Sequence, residues 1–310
     1  MRIGLVFGGN TTEGEISKES ATCIRGALQK LGYNFVDIEF DRNIAIHLMD
    51  ASVDVVFNAM HGQYGEDGRL QGLLDIMKIP YTHSGCLSSA MTMNKVVCKK
   101  IFNYLGIKTA KSIVVKKQDL FDGLWKIKLA DDDYLRNSKE VFVKPIADGS
   151  SKDTFLINNI DEFNFNSVEI YTANTEFLIE EPIKGKEIQV AVFGKDPVVI
   201  GMLEVKPRGE FFDYQSKYTE GGATHLPVDL DNKVQDTLSK YTLMMHKALC
   251  LKDISRSEFI VTDDNSIYAL EVNSHPGLTS KSIFPEIAHN AGILYEDIID
   301  TLIKNASYSN

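Results

Sequence analysis

Apolar and polar positions repeat with two different periods along the chain, and the switches between them outline its elements. Residues 3–7 form a short apolar run that predicts a strand. Helical spacing over 15–31, closed by Gly32, predicts a helix, and 35–39 and 53–59 predict two further strands. This strand–helix rhythm implies a parallel sheet covered on both faces, with ligands bound beyond the carboxyl ends of its strands. Gly8-Gly9 and His61-Gly62 fall at those ends. A helix over 95–105 opens a second region, in which 140–145 and 177–181 read as strands, 146–151 as a loop and 131–138 as an exposed connection. Further on, 189–193 and 198–205 predict paired strands, 209–224 a polar loop, 233–250 a helix, and the residues after Ala291 a closing helix. The expected fold class is α/β, turning to α+β in the C-terminal part.

Between the last two helices, residues 256–273 predict a hairpin of two apolar, β-branched strands. If Asp263-Asp264-Asn265-Ser266 closes it as a four-residue loop, Val261 and Tyr268 lie near the turn. Glu258 then faces Glu271 and Arg256 faces Asn273, all four on one face. Facing carboxylates cost roughly 0.2–1 kcal/mol relative to a neutral pair, and a cation between them removes that cost. Two carboxylates and an amide oxygen are hard ligands suited to Mg²⁺. A solvated hairpin face is the ordinary alternative. The arginine on the same face, and the exit straight into Ser274-His275-Pro276-Gly277-Leu278-Thr279, favour the metal-binding one.

Composition narrows the function classes. The 310 residues exceed the usual single-core size, so two or three domains with clefts between them are expected. The 44% apolar and 25% charged content is ordinary for a soluble globular protein, and a net charge of −10 argues against nucleic acid or an anionic membrane as main partner. No apolar run is long enough to span a bilayer, and the first apolar run is too short for a signal peptide. Cys23, Cys86, Cys98 and Cys250 form no C-x-x-C pair, so reduced thiols and a cytoplasmic location are expected.

Several motifs carry chemistry. Gly8-Gly9-Asn10-Thr11-Thr12 sits between strand and helix, yet its spacing is not G-x-G-x-x-G, which argues against a Rossmann cofactor. Glu13 either favours the positive end of the following helix or holds a substrate ammonium. Lys144 ends a strand and is followed by Asp148-Gly149-Ser150-Ser151, where close backbone approach, successive N–H groups and hydroxyls can surround a phosphate. Glu180-Glu181-Pro182-Ile183 reads either as a strand end whose backbone edge meets an adenine, with Glu187 available to ribose, or as a surface acidic run. The loop carrying Asp213, Tyr214, Lys217 and Tyr218 has the length and polarity of a lid that excludes water. His61 belongs to no zinc-type spacing and reads as an orienting group.

Together these residues form a recognisable set. Val6-Phe-Gly-Gly-Asn-Thr-Thr-Glu-Gly-Glu-Ile-Ser17, His61-Gly-Gln-Tyr-Gly-Glu-Asp-Gly-Arg-Leu-Gln-Gly72, Pro80-Tyr-Thr-His-Ser-Gly85, Met93-Asn-Lys95, Val143-Lys-Pro145, Gly149-Ser-Ser151, Tyr214-Gln-Ser-Lys-Tyr218 and Glu271-Val-Asn-Ser-His-Pro-Gly-Leu-Thr-Ser280 occur in order across the chain. They closely resemble the D-alanine–D-alanine ligase family of ATP-grasp enzymes. The resemblance implies a three-domain ATP-grasp architecture: an N-terminal parallel-sheet domain (1–94), a central domain (95–182) and a C-terminal domain with metal and catalytic residues (183–310). It implies ATP as co-substrate, two Mg²⁺ ions (or Mn²⁺), a homodimer, and a D-alanyl phosphate attacked by a second D-alanine during peptidoglycan precursor synthesis. Carried over by motif, Lys95, Lys144 and Lys217 would contact phosphates under Ser150 and Ser151. Glu180, Glu181 and Ile183 would border adenine, Glu187 ribose, and Glu258, Glu271 and Asn273 the metals. Glu13 would hold the first ammonium in a set with Ser150 and Tyr218, near His61. Arg256 and the Gly277 N–H would stabilise the oxyanion, and Ser282 would bind the second carboxylate. The chain departs from the family pattern at Glu258, where Asp is usual, at Lys152-Asp153, and at Gly14 and Lys281. A related ligase using D-lactate or D-serine as acceptor is the nearest alternative, and a non-catalytic nucleotide-binding module a more distant one.

Overall fold

The computed structural model describes residues 1–9, 13–209 and 222–308. Strands β1 (Arg2–Phe7), β2 (Asn34–Glu39) and β3 (Val55–Asn58) form a parallel sheet in the order β2-β1-β3. Parallel neighbours need long crossovers, which the helices Gly14–Lys30 and Ile44–Ala51 supply. Alternate residues split between two cores: Ile3, Leu5, Val55 and Phe57 pack with Ala21, Ile24 and Leu28, while Val6 and Val56 pack with Leu48, Leu70 and Leu74. Both faces are therefore covered, as the sequence predicts.

The first of these cores also contains Leu278, Phe284, Ile298 and Leu302. The helices Ile283–Asn290 and Tyr295–Lys304 thus fasten the C-terminal end of the chain onto its N-terminal sheet. In the middle of the chain, β4 (Ser112–Lys116), β5 (Val141–Pro145), β6 (Phe155–Ile157) and β7 (Glu176–Glu180) form an antiparallel sheet in the order β4-β7-β5-β6, packed around Trp125 and Phe165. Then β8 (Lys186–Phe193), β9 (Val198–Pro207), β10 (Ala223–Leu226), β11 (Ile254–Val261) and β12 (Ile267–Asn273) form a second antiparallel sheet in the order β10-β9-β8-β11-β12. It packs against the helix Asn232–Ala248 and against Cys98 and Phe102 of the helix Lys95–Tyr104.

The hairpin differs from expectation at two places whose effects cancel. Its turn is one residue tighter than the predicted four: the Thr262 N–H donates to the Ser266 carbonyl at 3.0 Å, and Asn265 takes φ 61° to close the loop. Val261 consequently pairs with Ile267, and Ile260 with Tyr268. A bulge between Glu258 and Phe259 then shifts the register, leaving Leu270 as the extra residue on β12. Beyond it Glu258 faces Glu271 and Arg256 faces Asn273, the predicted pairs.

The short helices Ile44–Ala51, Arg69–Met77, Cys86–Met93 and Ile283–Asn290 were not among the predicted elements, since two turns give little periodic signal. Strand β10 begins inside the segment predicted to be loop, and in the 131–138 connection Leu135 is fully buried as an anchor in the central core. Among the described residues, no helix is long and apolar enough to cross a membrane.

Candidate active site

Two cavities of about 580 and 660 Å³ lie where the three sheets meet. Lys95, Asp148, Gly149 and Glu271 line both, so the cavities share a wall. The first is bordered by Glu13, His61, Ser150, Arg256, Asn273, Gly277 and Ser282. The second is bordered by Lys144, Ser151, Glu180, Glu181, Ile183, Glu187 and Glu258. Every predicted site residue within the described part of the chain borders one or the other. Lys217 and Tyr218, with Asp213, Tyr214 and Asn10 to Thr12, lie outside the described residues.

Glu13 ends the turn that leads into the helix Gly14–Lys30 and makes no side-chain cap to it, so its carboxylate is aimed into the first cavity. The Ser150 hydroxyl donates to Glu13 Oε1, while Oε2 is buried and has no hydrogen-bond partner among the described residues. Burial, then the nearby Glu66 charge, push the Glu13 pKa up to about 7 against the opposing pull of Ser150 and His61. The close fit requires Gly62: at φ +66°, a Cβ there would meet Glu13 Oε2 at 1.9 Å. His61 is oriented from both sides, Nε2 lying 2.8 Å from Ser20 Oγ and Nδ1 3.0 Å from Glu66 Oε1. Its ring meets His275 edge-on at 5.7 Å, and His275 stacks face-to-face on His83 at 3.7 Å. Burial holds His83 down at about 3 and His275 well below the ordinary histidine value, so both rings are neutral at physiological pH.

The loop after β5 forms the shared wall. Ser150, Ser151 and Asp153 all have positive φ, 54°, 54° and 51°. Left-handed backbone costs roughly 1–2 kcal/mol per non-glycine residue, so the surroundings must hold this shape. Thr172 holds it at two points, donating its N–H to Asp153 Oδ2 at 2.5 Å and its hydroxyl to Asp148 Oδ2 at 2.7 Å. Lys95 Nζ donates to the Asp148 carbonyl at 2.5 Å. Within the loop the Gly149 N–H donates to Asp148 Oδ1 at 3.1 Å and the Lys152 N–H to the Gly149 carbonyl at 3.2 Å.

On the hairpin, Arg256 Nη1 donates to Glu258 Oε1 at 2.5 Å and also to Gln189 Oε1. Burial opposes the Arg256 charge, but Glu258 and Glu271 outweigh it and raise its pKa. Asn273 Oδ1 accepts the His275 N–H at 2.7 Å, which fixes the amide and leaves its second lone pair for another partner. Two facing carboxylates and this amide are a donor set that fits a small, hard divalent cation. Among the described residues there is no cluster of three or more His, Cys, Asp or Glu side chains able to hold a metal, and the hairpin set, with one amide, falls below that size. Ser282 Oγ accepts the Thr279 N–H at 3.1 Å, and a Cβ on Gly277 would come within 2.8 Å of it, so that segment is tightly folded over the first cavity.

The nucleotide-side residues depart from the predicted picture in one respect. Strand β7 is paired on both sides through Glu180, and the Glu181 N–H and carboxylate engage the Lys111 carbonyl and N–H at 3.0 and 2.7 Å. Of the backbone edge expected across 180–183, the Glu181 N–H is therefore already engaged. The Glu180 carboxylate instead forms ion pairs with Lys144 through Oε2 and with Lys99 through Oε1. Lys99 escapes prediction: it sits one turn after Lys95 on the same helix, but a lysine at such a position is ordinarily solvated.

Comparison with known proteins agrees with this geometry. The profile described as D-ala D-ala ligase C-terminus matches residues 101–304, and that described as D-ala D-ala ligase N-terminus matches 45–84. The D-alanine–D-alanine ligase of Rickettsia canadensis is 42% identical over 312 residues, covering 99% of this chain and 84% of that protein. Among solved structures, the Bacillus anthracis D-alanine–D-alanine ligase complexed with ATP superposes with a TM-score of 0.81 at 29% identity, covering 98% of this chain and 96% of the other. A D-Ala:D-Ser ligase from Enterococcus faecalis superposes at 0.78 with 27% identity and 98% coverage of both chains. With full-length identity of this order, this chain belongs to the D-alanine–D-alanine ligase family.

Proposed function

We propose that this protein joins two D-alanine molecules into D-alanyl-D-alanine while ATP is cleaved to ADP and phosphate, supplying a peptidoglycan precursor in the cytoplasm. The observation that supports it best is the wall shared by the two cavities. A carboxylate in the first can meet a terminal phosphate in the second at Lys95, Gly149 and Glu271. The proposal includes the three-domain ATP-grasp division near residues 94 and 182, and a homodimer.

The first D-alanine binds with its ammonium on Glu13, which Ser150 and the Gly62 turn hold in place. Its carboxylate oxygen attacks the terminal phosphorus of ATP, whose bond to the bridging oxygen breaks to release ADP. Lys95, Lys144 and Lys217, with the N–H groups around Ser150 and Ser151, receive the phosphate oxygens. Glu181, Ile183 and Glu187 border the nucleoside, and Glu180 anchors Lys144 behind it. Glu258, Glu271 and Asn273 would hold two Mg²⁺ ions, which neutralise phosphate charge when bound. The amine of the second D-alanine, its carboxylate on Ser282, then attacks the acyl carbonyl, and phosphate leaves. Arg256 and the Gly277 N–H face the oxygen where negative charge develops, and one such preorganised donor is worth roughly 3–4 kcal/mol. Carried over by motif, the Tyr218 hydroxyl would complete the set with Glu13 and Ser150 and exclude water from the acyl phosphate.

Two measurements test this. With D-alanine, D-lactate and D-serine mixed at equal concentration near pH 7, the product identified by mass is expected to be mainly D-alanyl-D-alanine; a predominance of D-alanyl-D-lactate or D-alanyl-D-serine overturns the acceptor, and nucleotide binding with no ADP release overturns the reaction. Lys144→Met keeps the apolar stem and removes the charge. It is expected to stay folded and to raise the ATP KM or lower kcat by about tenfold or more, ~1.4 kcal/mol per decade. Unchanged ATP kinetics would return Lys144 to a structural role.

A further inference from the structure

The Glu180 carboxylate is buried between two lysines of different origin. Lys144 comes from the end of β5 and borders the second cavity, whereas Lys99 comes from the helix Lys95–Tyr104 and does not line it. Each takes one carboxylate oxygen, Lys99 Oε1 and Lys144 Oε2. Glu180, Lys99 and Lys144 side chains are only 7%, 10% and 17% exposed, so water contributes little to balancing these charges. Two cations and one anion leave a single positive charge, and of the two cations only Lys144 reaches the cavity wall.

We propose that Lys99 is a positioning residue for the nucleotide: by neutralising Glu180 from behind, it leaves the Lys144 ammonium able to turn its remaining donors toward anionic phosphate. Without Lys99 the pair Lys144–Glu180 is neutral, and the carboxylate draws the ammonium fully onto itself. Titration of Lys144 and Glu180 runs in the direction this requires, while burial, with Lys144 adding to it, lowers the Lys99 pKa against the pull of Glu180. Burial disfavours the Lys144 charge, yet Glu180, Glu271 and Glu258 overcome it and raise its pKa. Burial likewise works against ionised Glu180, but Lys144 and Lys99 together hold its pKa low. The helix that carries Lys99 also links the parts of the site. Lys95, one helical turn earlier, fixes the Asp148 carbonyl of the phosphate loop, so one helix face sets both the loop and the lysine beneath it.

This inference rests on the second cavity being the ATP site, and the experiment separates the two. Initial rates of ADP release are measured with ATP varied at saturating D-alanine, and the reverse, for the unmodified protein, Lys99→Met, Glu180→Gln and the double variant. Lys99→Met is expected to raise the ATP KM about tenfold while moving the D-alanine KM less than twofold. Because Lys99 acts only through Glu180, adding Lys99→Met to Glu180→Gln is expected to change the ATP KM less than twofold, and Lys99→Arg to restore most of the loss. Glu180→Gln leaves two buried ammonium groups without a carboxylate and the double variant leaves one, so the Tm of both is measured alongside the rates, and Lys99→Arg, which keeps the charge, carries the test if either unfolds. An unchanged ATP KM in folded Lys99→Met, or an equally large effect of Lys99→Met in the Glu180→Gln background, overturns the role of Lys99 with the ATP site intact. Failure of the unmodified protein to use ATP overturns the underlying site assignment, and the role of Lys99 with it.

Discussion

A Glu271→Gln protein is expected to fold normally and to lose turnover by about 10³-fold, ~4 kcal/mol at ~1.4 kcal/mol per decade. Glu271 is the one hairpin carboxylate that borders both cavities, and it stands opposite Glu258 in the register restored by the bulge. Its charge acts on both sides of the shared wall, raising the pKa of Arg256 on one and of Lys144 on the other. An amide of the same shape keeps the packing, removes the charge, offers one oxygen instead of two, and places an N–H₂ donor where a hard cation would bind. The fold should survive because β11 and β12 hold together through backbone pairing and the core around Phe259 and Ala269. ADP release with saturating D-alanine reads the turnover, and ATP affinity measured with and without Mg²⁺ reads the metal contribution separately. A folded variant with a near-normal rate, or one whose ATP affinity keeps the same Mg²⁺ dependence, removes Glu271 from the metal site.

The same hairpin shows how far sequence carries. Side-chain alternation put Arg256, Glu258, Glu271 and Asn273 on one face, and the structure has them there. The turn departs from expectation because Asp263-Asp264-Asn265-Ser266 suits a four-residue loop, whereas Asn265 tolerates left-handed backbone and closes a tighter one. The bulge that compensates leaves no mark in the sequence, since Leu270 is as apolar as its neighbours. Glu13, Ser150, Ser151 and Gly277 are legible as cavity-lining residues for a related reason: each lies in a loop whose glycines and hydroxyls are adjacent in the chain. What stayed hidden depends on distant pairing. Nothing in the spacing of His83 and His275 announces a stacked pair, and Thr172 as the clamp of the phosphate loop follows only from the fold. Lys99 left a faint trace in its one-turn spacing from Lys95, but its burial against Glu180 comes from three elements meeting.

Below neutral pH, binding of the first D-alanine is expected to weaken about tenfold per pH unit, the loss expected when one required ionised group becomes protonated. The group is Glu13, whose pKa is pushed up to about 7 chiefly by burial and then by Glu66. Only the carboxylate attracts an ammonium, so kcat/KM for the first D-alanine should fall as pH drops through 7. In Glu13→Gln that limb should vanish, leaving kcat/KM about 10²-fold lower at pH 8, ~2.7 kcal/mol. Stability should move in the opposite sense. In the unfolded chain Glu13 titrates at its ordinary 4.5, so between 4.5 and about 7 the folded protein holds a proton that the unfolded one has released. Folding is therefore favoured below 4.5 and this contribution is lost as pH rises through about 7. Glu13→Gln, a mimic of the protonated acid, should match the unmodified protein in Tm near pH 4.5 and exceed it near pH 8. Measuring Tm across that range needs no substrate and is blind to the titration of D-alanine itself. Equal Tm differences at both ends, together with a low-pH limb that persists in Glu13→Gln, would assign the ammonium to another group.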